Sequence, residues 1–202
     1  MSAAVTGGAS RHPVVLAVTG ASGAPYAVRL LEVLARARVP VWLLVSGHGL
    51  RLLREECGID SLDALRAATG GDWGTVEVFP DDDRGAPPAS GSRRTRAMVI
   101  CPCSMGTVAA IASGTSRSLI ERAADVTLKE GRKLIVVPRE TPLSLVHLRN
   151  LTAAAEAGAT IVPAAPGFYH RPRRVEDLVD FVVQRVLDQL DLEIEIAPRW
   201  TP

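Results

Sequence analysis

The chain alternates short apolar runs with segments whose apolar residues recur at helical spacing. Runs rich in Val, Ile and Leu are typical of strands buried on both faces, and here most are followed by a helical pattern. Strands are predicted at Val14–Val18, Val41–Val45, Ala97–Cys101, Lys133–Val137 and Thr160–Val162. Helices are predicted at Pro25–Arg38, Leu50–Cys57, Ser61–Ala68, within Val108–Glu130, at Ser144–Ala157 and at Val175–Leu190. This alternation predicts an α/β fold: a single domain with a three-layer, doubly wound, mostly parallel sheet of flavodoxin or Rossmann type.

The alternation breaks between Gly70 and Ser92, where Gly, Asp and Pro dominate. Thr75–Val78 within it is a possible edge strand. Long irregular segments in compact domains are often binding loops, so we expect a functional loop here. Its three aspartates, Asp81–Asp83, resemble sites that bind magnesium diphosphates. They lack helical flanks and a second aspartate cluster, so a solvated loop is the favoured interpretation.

Composition narrows the possible functions. The chain has 202 residues, which suits one domain over residues 13–202 after a flexible extension at 1–12. A net charge of +1 gives no basic excess for nucleic acid. Apolar runs fall short of the roughly 20 residues that span a bilayer, and the N-terminus lacks a secretory apolar region. Three cysteines, Cys57, Cys101 and Cys103, favour a reducing cytoplasm over a disulfide framework.

Small and hydroxyl-bearing residues follow successive predicted strands. These segments are Thr19–Gly23, Ser46, Ser104–Thr107 and Arg139–Thr141. The carboxyl ends of parallel strands form the ligand-binding edge of such a sheet. Glycines permit close backbone approach, hydroxyls donate hydrogen bonds, and helix N-termini favour anions. The set therefore predicts a site for a planar, phosphate-bearing ligand rather than a metal site.

Each of these segments also has a purely structural interpretation. Gly20–Gly23 lacks the complete dinucleotide fingerprint, and a bare tight turn is an equal alternative. Ser46, Ser104 and Thr107 are alternatively helix caps. Only their joint placement at successive strand ends favours a ligand. The Cys and His residues suggest neither a zinc site nor a Ser/His/Asp triad, so no metal is expected.

Basic residues form a second candidate group. Arg122 and Lys129 are seven residues apart, so two helical turns place them on one face. Arg185 has apolar neighbours, Val182, Val183 and Val186, and is therefore expected to be less solvated than an ordinary surface arginine.

Two further side chains have acid/base or hydrogen-bonding potential. Glu140 stands beside Arg139 at a predicted strand end and is a candidate acid/base group, with a local ion pair as the alternative. Tyr169 lies in the loop Pro163–Pro172 and can offer its hydroxyl group to a phosphate.

Several longer stretches closely resemble UbiX-type flavin prenyltransferases. They are Thr19–Ala24, Ala86–Ser92, Ile100–Thr107, Glu121–Glu130, Val137–Ser144, Pro163–Tyr169 and Pro198–Trp200. The similarity runs from about Val14 to Trp200. It implies a transferase that joins a dimethylallyl group, taken from dimethylallyl monophosphate, to N5 and C6 of reduced FMN. The prenylated FMN then serves as cofactor for a UbiD-type decarboxylase.

The resemblance also implies roles for individual residues. FMN is expected at Gly20, Ala21, Ser22, Ser46, Glu56, Ser104, Met105, Gly106, Thr107 and Arg139. The prenyl donor is expected at Tyr169, Arg185, Trp200, Lys129 and Arg122. The expected catalytic residues are Glu140 as acid/base group, with Lys129, Arg122 and Ser22. Positive side chains would replace a metal, and members form large homo-oligomers, typically dodecamers, with sites shared between subunits.

The sequence departs from this family at a few positions. Arg84 stands where some relatives carry Trp, Arg93 where many carry Phe, and Ser118 where Asn is common. An arginine at position 84 can alter stacking near the flavin ring or the prenyl group. The departures leave open whether the donor is a monophosphate or a diphosphate.

Two other functions remain open. Flavin-dependent cysteine decarboxylases share this fold, but the surroundings of His48 do not match their catalytic histidine, and their Asn-Met motif is absent. A flavin carrier without catalysis would keep the FMN residues. It would not need Lys129, Glu140, Tyr169 and Arg185 together.

Overall fold

The computed structural model describes residues 12–200 as an α/β domain around a six-stranded sheet. The strands are β1 (Val14–Val18), β2 (Val41–Val45), β3 (Val76–Pro80), β4 (Ala97–Cys103), β5 (Lys133–Pro138) and β6 (Ala159–Ile161). All neighbouring strands are parallel, in the order β3-β2-β1-β4-β5-β6. This is the Rossmann strand order, which confirms the predicted fold class. The extension predicted over residues 1–12 lies outside the described residues, except for His12.

The described part of the chain has seven α-helices, of which six lie between strands and the last follows β6. They are α1 (Ala24–Arg36), α2 (Gly47–Cys57), α3 (Leu62–Ala68), α4 (Met105–Ser113), α5 (Leu119–Lys129), α6 (Leu145–Glu156) and α7 (Val175–Gln189). The helical pattern between Val108 and Glu130 is two helices. Gly114 adopts a left-handed conformation, with φ of 67°, that ends α4, and Ser118 caps the start of α5.

Two hydrophobic cores lie on opposite faces of the sheet. Alternate residues of a strand point to opposite faces, so Val14 and Leu16 pack with α1, α2, α3 and α7. Val15 and Ala17 pack instead with α4, α5 and α6. A fully buried leucine such as Leu16 contributes about 1.5–3 kcal/mol, and many such residues make the three-layer arrangement stable. The strand ends are therefore held rigidly in position.

Neither a membrane span nor a metal cluster occurs in residues 12–200. Each helix there is too short or too polar to cross a bilayer. In the same residues, no three His, Cys, Asp or Glu side chains are grouped as metal ligands.

Candidate functional site

The sheet changes its winding direction between β1 and β4, which are neighbours in the sheet. Ligands of doubly wound folds bind at the carboxyl ends of the strands at this point. Thr19, directly after β1, joins the two strand ends. Its Oγ1 accepts a hydrogen bond of 2.8 Å from the Ser104 backbone N–H and donates one of 2.9 Å to the Pro102 carbonyl. Thr19 lies in the predicted segment Thr19–Gly23 but is absent from the FMN-binding residues that the family resemblance implies, and its link to Ser104 spans 85 residues of sequence.

The two predicted serine ligands after β2 and β4 are helix caps. Ser46 Oγ accepts the Gly49 N–H at 3.0 Å, and Ser104 Oγ accepts the Thr107 N–H at 3.2 Å. The side-chain oxygens of Ser104 and Thr107 are also 3.0 Å apart. The capping interpretation is therefore confirmed for Ser46 and Ser104, whereas it is wrong for Thr107, which lies within the first turn of α4 and supplies the N–H that Ser104 accepts. Capping does not exclude a ligand, because a hydroxyl group that accepts from a helix still has a proton to donate.

A cavity of about 250 Å³ lies between these caps. Residues from the N-terminal ends of three helices, α2, α4 and α5, line it. Its lining residues are Thr19, Gly20, Ser46, His48, Asp81, Ser104, Thr107, Ser118, Ile120 and Glu121. Helix N-termini carry unpaired N–H groups and partial positive charge, which favour an anion such as phosphate. The donor set therefore fits the phosphate end of FMN.

Gly20 has a packing role in this cavity. A Cβ atom at position 20 would lie 2.5 Å from the Cβ atom of His48, in the first turn of α2. Any side chain would push α2 away from the end of β1. Close packing of the turn against α2 is therefore enough to explain a glycine at this position. Gly20 also lines the cavity.

Ser22, Glu56 and Arg139 meet at the next part of the same edge. Glu56 Oε2 accepts hydrogen bonds of 2.8 Å from the N–H groups of Gly23 and Ala24. Arg139 Nε donates to the Ser22 carbonyl at 3.0 Å. Although partial burial opposes the shift, hydrogen bonds from Ser22 and these N–H groups lower the pKa of Glu56. An ionised Glu56 therefore fixes the loop predicted to contact FMN.

The prediction of a solvated aspartate loop is wrong for Asp81. Its carbonyl accepts the Leu119 N–H at 2.7 Å, and its Oδ1 accepts the Ile120 N–H at 2.9 Å. Asp81 therefore satisfies two N–H groups at the start of α5. Burial raises its pKa, and the nearby Glu121 acts in the same direction. Asp82 and Asp83 are exposed, as expected.

Three residues predicted to bind the donor meet in a separate cavity of about 280 Å³. Tyr169, Arg185 and Trp200 all line it, together with Phe181. The Tyr169 ring meets Trp200 edge-on at a centroid distance of 5.1 Å. The expectation that Arg185 is poorly solvated is wrong, since 52% of its side chain is exposed. Its apolar neighbours face the core, whereas Arg185 points away from it.

Arg122 and Lys129 lie elsewhere in the chain. Both are on α5, as predicted, but Arg122 pairs with Asp125 at 2.6 Å and Lys129 with Glu130 at 2.7 Å. Lys129 lines a different cavity, between α4 and α5. One chain alone does not bring these two cations to Tyr169 and Arg185.

The remaining predicted residues differ in their exposure. Glu140 is exposed, and its Oε1 accepts the N–H of Thr141 at 3.1 Å. Met105 is buried and Gly106 exposed in the first turn of α4, and Ala21 is buried after β1. Arg84 and Arg93 are both exposed.

Known proteins match this chain over nearly its full length. The family described as Flavoprotein matches residues 3–187. Flavin prenyltransferase UbiX of Pseudomonas aeruginosa is 48% identical over 194 residues, covering 93% of each chain.

Two solved structures have the same fold as this chain. A dodecameric FMN-dependent UbiX-like decarboxylase from Escherichia coli O157:H7 has a TM-score of 0.87 and 41% identity, covering 94% of this chain and all of its own. AnUbiX in complex with FMN and dimethylallyl pyrophosphate has the same TM-score and identity, covering 96% of this chain and 99% of its own. The chain therefore belongs to the flavoprotein family and, within it, to the UbiX flavin prenyltransferases.

Proposed function

We propose that this protein joins the dimethylallyl group of dimethylallyl monophosphate to N5 and C6 of reduced FMN. The observation that carries the proposal is the cavity lined by three helix N-termini between β1 and β4. The starts of α2 and α4 offer the partial positive charge and the hydroxyl donors that a flavin phosphate requires, whereas Asp81 and Glu121 line the cavity on the α5 side. The cavity at Tyr169 and Arg185 offers a second anion site for the donor.

The FMN-binding domain spans residues 13–202 in this proposal. Ser46, Ser104 and Thr107 donate to the phosphate, and Met105 and Gly106 contribute the first turn of α4. Gly20, Ala21 and Ser22 contact the flavin from the β1 turn. Arg139 and Glu56 hold that turn in place, because they bond to Ser22, Gly23 and Ala24.

The donor site is completed by a neighbouring subunit. Arg122 and Lys129 lie on α5, away from Tyr169, Arg185 and Trp200 of the same chain. A homo-oligomer, which we propose to be a dodecamer, brings α5 of one chain to the donor cavity of another. The dodecameric assembly of the Escherichia coli relative supports this arrangement.

The chemistry requires alignment, charge stabilisation and exclusion of water. Reduced FMN supplies a nucleophilic N5 when bound. As the N5–C bond forms, the ester C–O bond of the donor breaks and phosphate leaves. Lys129, Arg139 and Arg185 stabilise the departing negative charge, with no metal ion. The proton lost from N5 leaves with the phosphate. Closure onto C6 uses the double bond of the transferred group: one alkene carbon takes a proton, the other bonds to C6, and the proton displaced from C6 passes to Glu140 or to the released phosphate.

The product serves a second enzyme in this proposal. Prenylated FMN would pass to a UbiD-type decarboxylase as its cofactor. We also propose a cytoplasmic location, which is supported by three free thiols at Cys57, Cys101 and Cys103.

One anaerobic assay tests the function. Purified protein is mixed with reduced FMN and dimethylallyl monophosphate, and the flavin mass is measured. A gain of one dimethylallyl unit is the expected result, with the diphosphate tested in parallel. Tight FMN binding with an unchanged flavin mass for both donors would contradict prenyl transfer and would favour a flavin carrier.

A further inference from the structure

The donor cavity contains a second arginine. Arg199 lines the same wall as Arg185, although the two are 14 positions apart in the sequence and lie on different segments. Arg185 is on α7, whereas Arg199 belongs to the C-terminal tail. Their side chains are about half exposed, at 52% and 50%. Both guanidinium groups therefore have donors available for a ligand.

One carboxylate holds the two arginines together. Asp188 Oδ2 lies 3.0 Å from Arg185 Nη1, and Asp188 Oδ1 lies 3.0 Å from Arg199 Nη2. Only 15% of the Asp188 side chain is exposed. Although burial opposes the shift, hydrogen bonds from Gln184 and Arg199 lower the pKa of Asp188. Arg199 also pairs with Glu195, whose Oε1 lies 2.9 Å from Arg199 Nε, but the Glu195 side chain is 70% exposed, so water screens this second carboxylate more than it screens Asp188.

A buried glutamine fixes the tail that carries Arg199. Gln184 is 3% exposed, and its Oε1 accepts the Ile196 N–H at 2.7 Å. Its Nε2 donates to the Ile194 carbonyl at 2.9 Å and to Asp188 Oδ1 at 3.0 Å. The tail is therefore bonded to the same face of α7 that presents Asp188. This arrangement sets the distance between the two guanidinium groups.

We propose that Arg199 binds the phosphate of the prenyl donor beside Arg185, and that Asp188 is the positioning residue for both. The inference rests on the proposed function for the identity of the ligand, but the anion site itself does not. Two guanidinium groups, each planar and both held by Asp188, form a multidentate donor set suited to a phosphate group. Tyr169 and Trp200 then close the cavity beside it.

The test uses the FMN-loaded oligomer, so that the flavin phosphate site is already filled. Arg199→Gln should raise KM for dimethylallyl monophosphate at least about tenfold, with a smaller change in kcat. The Kd of inorganic phosphate, measured calorimetrically, should rise in parallel. Arg199→Lys should recover part of both losses, because it restores the charge but not the planar fork.

Asp188→Asn should raise the donor KM and the phosphate Kd as Arg199→Gln does. Asp188 does not contact the ligand in this proposal, but it holds Arg185 and Arg199 in position. The control is Arg36→Gln on α1. Arg36 is exposed and pairs with Glu32, four residues earlier, so this variant also removes an arginine from a surface ion pair. It should leave the donor KM and the phosphate Kd unchanged.

The outcomes separate this inference from the proposed function. Prenyl transfer with an unchanged donor KM and phosphate Kd in folded Arg199→Gln would overturn the inference alone. No prenyl transfer, but phosphate binding weakened by Arg199→Gln and by Asp188→Asn, would support the anion site and contradict the function. Equal phosphate binding in all variants would overturn the inference in either case.

Discussion

Thr19 Oγ1 accepts a hydrogen bond of 2.8 Å from the N–H of Ser104 and thereby ties the end of β1 to the end of β4. Thr19 is 3% exposed, and its hydroxyl proton goes to the Pro102 carbonyl. Thr19→Val keeps the shape but leaves both partners unsatisfied, so the free energy of unfolding should fall by about 1–3 kcal/mol. The Kd of FMN should rise, because the Ser104 cap is no longer held. Chemical denaturation and flavin fluorescence titration measure these effects.

Thr152→Val is the matched control for this substitution. Thr152 is exposed on α6, and its hydroxyl group donates to the Leu148 carbonyl within the helix. Its loss should change stability by less than about 0.5 kcal/mol and leave FMN binding intact. An unchanged FMN Kd in Thr19→Val would show that the link between the strands does not position the flavin site.

Glu56 should make the stability of the flavin loop depend on pH. Because its pKa is lowered in the folded chain, its contribution is present above about pH 4.3 and disappears as pH falls through the lowered pKa. Glu56→Gln should therefore lower Tm by about 1–3 °C at pH 7, and the difference should vanish on acidification. Calorimetry across this pH range measures it.

The neighbouring Glu55 provides the control for Glu56. Glu55 bonds to Arg51 on the surface of α2 rather than to the loop. Glu55→Gln should therefore leave FMN binding unchanged, whereas Glu56→Gln should weaken it. Equal Tm profiles for wild type and Glu56→Gln at every pH would remove Glu56 from this role.

Asp81 should behave in the opposite way. Burial raises its pKa, so its ionisation costs stability in the folded chain. That cost is absent below about pH 3.9 and is complete once pH exceeds the raised pKa. Asp81→Asn should therefore have a higher Tm than wild type at pH 7, with no such advantage in acid. It should also bind FMN about threefold more tightly, because Asp81 lines the phosphate cavity.

Asp82→Asn separates this effect from a general change in charge. Asp82 is exposed and lies outside the lining of the phosphate cavity. It should change neither Tm nor FMN affinity measurably. Weaker FMN binding in Asp81→Asn would contradict this prediction. It would mean that the hydrogen bond from Asp81 to the start of α5 affects FMN binding more than the repulsion between the Asp81 carboxylate and the flavin phosphate.

The contacts of Asp81 could not be predicted from the sequence, whereas the fold could. The strands were predictable because their apolar runs are continuous, and the fold then placed Ser46 and Ser104 at one edge. The Asp81–Ile120 hydrogen bond joins residues 39 positions apart, and no local pattern reports it.

Arg185 illustrates a second limit. Its burial depends on the exact phase of α7, in which Val182, Val183 and Val186 face the core and Arg185 does not. Apolar neighbours in sequence are therefore a poor guide to one helical position, because adjacent helical residues point in different directions.

Glu140→Gln should separate flavin binding from turnover. The amide cannot accept the proton released at C6, so kcat should fall about 10²–10⁴-fold while the FMN Kd stays near that of wild type. Glu156→Gln, at the exposed end of α6, is the control and should be fully active. Wild-type turnover in Glu140→Gln would leave the released phosphate as the proton acceptor.

Subunit mixing can test whether the donor site is shared. Lys129→Ala and Arg185→Ala oligomers should each have little activity, because each lacks a cation for the donor phosphate. If these cations come from different chains, co-expression should restore activity to about a quarter, since random assembly rebuilds that share of two-chain sites.

Tyr169→Ala with Arg185→Ala is the control pair for this mixing experiment. Both residues line one cavity of one chain, so every chain in the mixed oligomer lacks one of them. Co-expression should restore nothing. Equal recovery in both pairs, or none in either, would contradict the assignment of Lys129 to the neighbouring subunit. Recovery only in the Lys129 pair would explain why α5 holds its cations away from the donor cavity of its own chain.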